Sequence, residues 1–337
     1  MDDHNYQRHR KEITMDCQLL PISSFDQYID IWDTINKSGP NTPVLSSLFI
    51  KPLLKHFGTG KEQLVIFSDN GQPCALGIIT KDRFGSLTTF QPSQAPIGLW
   101  VQEKNEGTPE LLATLFKKLP FTTMVFGLTQ QDPELIQRPH NKGRISTLDY
   151  IETGRVSLNK SFDEYWAERG KNLRQNLNRQ RNRLEREGVK RTLKTISNPS
   201  DVSPAIIQYG ELETAGWKSN QGTAIHINND QGKFYSEMMQ QFCSTHNGFI
   251  YQYFYGDELV ATDLCIRNDN QFIILKTTYN EEISTSSPAM LMRKESFVTI
   301  FKEKKSKTIE FYGKVMNWHT KWTNEIRTMY HINYKRF

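Results

Sequence analysis

The sequence predicts an α/β protein of two related halves, each carrying a mixed, mainly antiparallel sheet. Three observations predict it. A β-hairpin signal occurs once in each half, apolar helical segments flank each hairpin, and glycines stand where those helices should stop. In the first half, residues 43–57 read as a helix ending near Gly58, and residues 63–67 as a strand. Asp69-Asn70-Gly71 is a hairpin turn, because Asn-Gly supplies the positive φ that such turns need. Residues 74–79 return as a strand, and residues 109–119 form the following helix. In the second half, residues 230–244 carry Phe234, Met238 and Phe242 along one helical face and stop at Asn247-Gly248. Strands at 249–254, 259–266 and 272–276 follow, separated by turns at Gly256-Asp257-Glu258 and Asn268-Asp269-Asn270, before a helix at 288–304.

Between the halves, Ser161-x-x-Glu164 is a capping box. Trp166, Leu173, Leu177 and Leu184 recur at helical spacing and should face the core, leaving Arg174, Arg179, Arg181, Arg183 and Arg186 mostly outward. Glu187-Gly188-Val189 ends that helix and residues 190–196 return as a strand. Ser203-Pro204 reads as the start of a further helix that stops at Gly216. The expected organisation is a tail at 1–14, a first domain at 15–154 and a second at 155–337.

Composition narrows the function. The chain of 337 residues can bury a sizeable core, and 37% hydrophobic with 23% charged residues is ordinary for a globular protein. No run approaches the roughly 18 apolar residues of a membrane span. The charged first fifteen residues lack the apolar core of a secretory signal, so a cytoplasmic location is expected. Cys17, Cys74, Cys243 and Cys265 are widely spaced, which argues against zinc and against a disulfide framework; no metal is expected. The net charge of +5 is concentrated: residues 169–194 hold ten Lys/Arg against Glu185 and Glu187. A solvated helix face, a site for a phosphate-rich small ligand and a nucleic-acid contact are all consistent with that run. The last is the weakest, because the aromatic residues that would stack on bases are missing from 172–194.

The densest chemistry lies in Glu213-Thr214-Ala215-Gly216-Trp217-Lys218, followed by Gly222-Thr223-Ala224. It sets a carboxylate, an indole and an amine at the end of a helix. Together with Lys276-x-x-Tyr279, Ser287-Pro288-Ala289-Met290, Phe311-Tyr312-Gly313 and Trp318-His319-Thr320-Lys321-Trp322, this order resembles the CelD/BcsL family of acyltransferases. That family belongs to the GNAT superfamily and is related to the Fem-type peptidyl transferases. The resemblance is clear over 155–337 and weak over 40–150. It implies two tandem GNAT-like domains, and acyl-CoA as co-substrate for transfer to a sugar or amino-sugar intermediate of polysaccharide assembly. The alternatives are a Fem-type transferase using aminoacyl-tRNA, in which the basic helix would touch RNA, and a non-catalytic GNAT-fold module that binds a ligand.

Acyl transfer needs a placed thioester, a base for the nucleophile and a stabilised oxyanion. Glu213 is a general-base candidate if it is partly desolvated, and Lys218 could orient an acidic acceptor. Asp263, a charge within an apolar strand, should be paired, with Lys276 on the next strand as the expected partner. His319 can shuttle a proton if it titrates near neutrality. Trp217, Lys276, Tyr279, Arg179 and Arg183 are the expected substrate contacts. The resemblance places the pyrophosphate at Ser287, Ala289 and Met290, where Ser287 should N-cap a helix. The family's usual glycine is replaced there by Ala289.

Overall fold

The computed structural model describes residues 15–215 and 225–337. The tail at 1–14 and the segment 216–224, with Trp217, Lys218 and the expected helix stop at Gly216, lie outside the described residues. The first half runs β1 (Met15–Pro21), α1 (Ile29–Ser38), α2 (Ser47–Phe57), β2 (Gln63–Asp69), β3 (Gln72–Arg83), β4 (Ser86–Thr89), β5 (Trp100–Gln102), α3 (Thr108–Lys118), β6 (Val125–Gln131) and β7 (Ile145–Ser157). Helices α4 (Phe162–Ala167) and α5 (Lys171–Arg186) connect to the second half. That half runs β8 (Arg191–Ile196), α6 (Val202–Ala215), α7 (Asp230–Ser244), β9 (Gly248–Tyr255), β10 (Glu258–Arg267), β11 (Gln271–Tyr279), α8 (Pro288–Glu303), β12 (Thr308–Glu310) and β13 (Glu325–Lys335). Leaving out β5, both halves read strand, two helices, three strands, helix, two strands.

The described strands form one continuous sheet in the order β1-β2-β3-β4-β6-β13-β7-β12-β11-β10-β9-β8, with β5 on β3. Each half contributes an antiparallel meander and then one parallel pair, β4 with β6 and β11 with β12, joined across α3 and α8 respectively. The last strand of each half is exchanged. β13 pairs with β6 of the first half, while β7 pairs with β12 of the second. The two exchanged strands pair with each other and so close the sheet between the halves. This is a duplicated GNAT-like α/β fold with a mixed, mainly antiparallel sheet.

The core follows from that order. Helices α1, α2, α6 and α7 cover one face across both halves and share one apolar cluster, in which the Phe49 and Phe234 rings meet edge to face at 5.4 Å. The opposite face is covered by α3 in the first half and by α4, α5 and α8 in the second. All four cysteines are free and buried, as small apolar residues.

Several local expectations need correction. The helix expected over 161–187 breaks at Gly170 into α4 and α5; the capping box at Ser161 and Glu164 is formed. Tyr165, rather than Trp166, is the fully packed ring of α4, and Trp166 stacks on Phe162 at 5.9 Å. Helix α6 begins at Val202, before Ser203. Asn198 caps a preceding single turn, and Pro204 is tolerated because the first-turn N–H has no helical partner to lose. Helix α1, with Trp32 and Ile35 buried on one face, joins the architecture without an expectation from the sequence.

Candidate functional site

The site grows from one irregularity in β11. Leu264 of β10 lies opposite Lys276, but Cys265 lies opposite Ile274, so Leu275 is an extra residue in the ladder. A bulge of this kind shifts the alternation of side chains by one. It turns Lys276 toward α6 and α7, and Thr277 toward α8. The parallel pairing of β11 with β12 covers only 271–273 with 308–310, so beyond Ile273 the two strands part. Two clefts use that parting. One, of about 540 Å³, is lined by Glu213, Thr277 to Tyr279, Ser286 to Met290, Arg293 and Trp318. The other, a groove of about 770 Å³ between the halves, is lined by Lys276, Tyr235, Tyr312, Gln91, Gln130 and Tyr150 among others.

Glu213 and Lys276 stand where these clefts approach each other. Glu213 sits on the buried stripe of α6 with Val202, Ile206 and Tyr209 and is 3% exposed. Its carboxylate accepts a hydrogen bond from the Ile225 backbone N–H at 2.8 Å and lies 3.5 Å from Lys276 Nζ. The ammonium also faces the rings of Tyr235 at 5.4 Å and Tyr209 at 6.0 Å. Tyr209 is fully buried, and its hydroxyl makes no hydrogen bond among the described residues. Burial, reinforced by Glu213, pushes its pKa well above 10, so it remains a donor.

Asp263 is paired, but with Arg293 of α8 and not with Lys276. The register explains the correction: Asp263 lies opposite Thr277, and Lys276 lies opposite Leu264 on the other face. One guanidinium nitrogen of Arg293 reaches both Asp263 oxygens at 3.1 Å, and Thr277 donates its hydroxyl to the same carboxylate. Both charges are buried, and Arg293 lies 4.8 Å from the centre of the Trp318 ring. A carboxylate so held ties β10 to α8.

His319 stacks on the Trp318 ring at 3.5 Å and meets the Phe311 ring edge to face at 5.1 Å between ring centres. Its Nδ1 accepts the Met316 backbone N–H at 2.9 Å. Burial, and then the nearby Arg293 charge, lowers its pKa to about 4. The expectation of titration near neutrality is therefore corrected: at pH 7 the imidazole is neutral and oriented. The folded pKa lies below the ordinary 6.5, so the stability it contributes is complete above pH 6.5 and is lost as pH falls through 4. An NMR titration should show the His319 ring changing near pH 4, and a midpoint near 6.5 would contradict this arrangement.

Ser287 occupies the N-cap position of α8, but its side chain does not cap the helix. Instead the Ser287 N–H donates to Gln180 Oε1 at 3.0 Å, which ties α5 to the start of α8. Gln180 is buried on the α5 stripe with Leu173, Leu177 and Leu184. A groove of about 800 Å³ runs beside this junction, lined by Gly170, Asn176, Arg179, Ser287, Met290 and Lys321. Arg179 faces that groove, whereas Arg183 turns to Glu187 at 2.7 Å. The structure thus brings Glu213, Tyr279, Ser287, Ala289 and Met290 to one cleft, sets Lys276 at its boundary and places Arg179 in the adjoining groove. Arg183 stands apart.

The corresponding parting in the first half is filled. Beyond the paired residues of β4 and β6, Thr89 and Thr129 join their hydroxyls at 2.7 Å. The Gly98 N–H donates to Thr129 O at 3.2 Å. A Cβ at Gly98 would lie 2.4 Å from the Thr89 hydroxyl, so only glycine fits this plug. Residues that the sequence reading missed have visible signals in retrospect. Gln180 interrupts a leucine stripe, and Arg293 lies on the buried line of α8 with Ala289, Ser296 and Ile300.

Residues 171–319 match the family described as the Acetyltransferase (GNAT) domain. No curated protein sequence matches the chain. Among solved structures the chain is similar to FemX, with a TM-score of 0.60 and 8% identity over 94% of this chain and 97% of that one. It is also similar to a protein described as the C-terminal DUF2156 domain of a lysylphosphatidylglycerol synthetase from Agrobacterium fabrum. There the TM-score is 0.56, with 13% identity over 91% of each chain. A conserved protein of unknown function from Bacteroides thetaiotaomicron gives a TM-score of 0.56 and 11% identity over 91% of this chain and 97% of its own. At these identities the likeness is one of fold.

Proposed function

We propose that this chain, whose residues 171–319 form a GNAT acyltransferase domain, transfers an acyl group from acyl-CoA to a sugar or amino-sugar acceptor of polysaccharide or cell-envelope synthesis. The CelD/BcsL resemblance supports the acceptor class. The observation that carries the reading is the Glu213–Lys276 pair at the boundary of two clefts.

The donor enters the cleft at the start of α8. Its pyrophosphate meets the Ala289 N–H at the first turn of α8, where the helix dipole favours an anion; the Met290 N–H is already bonded to Ser287 O at 3.0 Å. Arg179 and Lys321 face the adjoining groove and add positive charge. The thioester lies along the free edge of β11 beyond Ile273, where backbone N–H groups no longer paired with β12 can bond the developing oxyanion. The acceptor comes through the inter-half groove, whose amides and tyrosines suit hydroxyl-rich ligands. As its nitrogen or oxygen forms the new bond to the acyl carbon, Glu213 takes its proton. The C–S bond then breaks and the thiolate leaves, to be protonated from Glu213 or solvent. Lys276 orients the Glu213 carboxylate from 3.5 Å, and Lys218 remains a candidate for orienting the acceptor. The first half, its own parting plugged at Gly98, supplies the groove wall.

A donor carried on tRNA is the second reading, and the exposed basic residues of α5 favour it. Titration calorimetry separates the two. Arg179→Ala is expected to weaken acetyl-CoA or longer acyl-CoA binding by about tenfold to a hundredfold, the worth of one charged hydrogen bond. Arg183→Ala, already paired with Glu187, is expected to leave it unchanged. Unaltered acyl-CoA affinity in Arg179→Ala, together with a flatter salt dependence of charged-tRNA binding, would favour the tRNA-linked donor.

A further inference from the structure

We propose that the first half docks on an anionic lipid surface through an aromatic tip built from Phe84, Phe121, Met124 and Phe337. Phe84, in the turn between β3 and β4, is 99% exposed, and Phe121 and Phe337 are each 74% exposed. They gather at one end of the sheet. The Met124 and Val125 N–H groups both donate to Gly85 O, at 2.8 and 3.2 Å, which holds the turn against the segment before β6. The Phe121 and Phe337 rings are 6.0 Å apart, and Arg336 lies 5.3 Å from the Phe121 ring.

Three exposed phenylalanines in one place lose free energy in water and need a reason. None contributes to the buried clusters that hold the fold together. The charges around them point to the occupant. Exposed Lys81, Lys117 and Lys335 lie within a few residues of the tip in sequence; Arg83 pairs with Asp82 at 3.6 Å, Arg336 donates to the carbonyls of Leu119, Pro120 and Thr123, and Lys118 is tied to Asp16 at 3.0 Å. Aromatic rings within a basic rim fit the headgroup level of an anionic bilayer, where the rings bury their apolar surface and the cations meet lipid phosphates. A protein partner fits less well, because interface cores are poor in lysine and a projecting turn buries little area. Docking of this kind requires no spanning helix, and no described helix is long and apolar enough to cross a membrane.

The test is co-sedimentation of the full chain with vesicles of equal parts phosphatidylcholine and phosphatidylglycerol, against phosphatidylcholine alone. The expected result is binding to the anionic vesicles, weakened by high salt and reduced about tenfold or more in Phe84→Ser/Phe121→Ser. Phe84→Ser alone, at a side chain almost fully in water, should show part of the loss with an unchanged melting temperature. Absence of binding to the anionic vesicles would overturn the proposal, as would equal binding by the double variant. So would sedimentation-velocity or single-strand nucleic-acid measurements in which the same substitutions abolish a dimer or a nucleic-acid complex instead.

Discussion

Replacing Glu213 by Gln is expected to reduce acyl transfer by about a hundredfold to ten-thousandfold, the range a positioned general base contributes. The amide oxygen can still accept the Ile225 N–H, so circular dichroism and the melting temperature should change little. The side chain lies 3.5 Å from Lys276 Nζ, and the Tyr209 hydroxyl of the same helix has no hydrogen-bond partner among the described residues. Acceptor-dependent release of the CoA thiol measures the effect, with a panel of amino sugars as acceptors. Activity within about threefold of wild type would remove Glu213 from the base role.

The second large effect is on stability. Asp263→Ala leaves the buried Arg293 guanidinium uncompensated, and breaking such a pair costs about 3–5 kcal/mol. Arg293→Met should cost a similar amount by stranding Asp263. The double variant Asp263→Leu/Arg293→Met should be far less destabilised than the sum of the singles, because no buried charge remains. Urea denaturation of the four proteins measures this. Additive losses would show that the two charges do not depend on each other. The pair fixes the first turns of α8 beside the proposed donor cleft, so weaker donor binding is expected wherever stability is lost.

Much of the frame could be read from local pattern. The Asn70-Gly71 turn takes φ values of 49° and 80°, as a tight hairpin requires. The capping box at Ser161, the leucine stripe of α5 and both central hairpins are likewise set by residues a few positions apart. The exchange of β7 and β13 carries no such signal, because it joins strands about 180 residues apart and only tertiary packing selects it. The bulge at Leu275 is equally silent in sequence, yet it decides which face Lys276 occupies, and so places Asp263 opposite Thr277 and out of reach of the cross-strand Lys276 pairing that simple alternation suggests. Glu213 was more legible than the reading allowed. It follows Val202, Ile206 and Tyr209 on one helical line, and a carboxylate on a buried stripe needs a cation within reach. His319 shows the opposite lesson. Its residue type promised a proton shuttle, whereas a stack with Trp318 beside Arg293 makes a neutral, oriented ring.

A single donor site at the parting of β11 and β12 is proposed, the corresponding parting of the first half being filled at Gly98. Hydrogen–deuterium exchange with and without saturating acyl-CoA tests it most directly. New protection is expected at residues 275–279 and 286–291, with residues 86–98 and 104–110 of the first half unchanged. Protection confined to the first half, or to α5 without the start of α8, would contradict it.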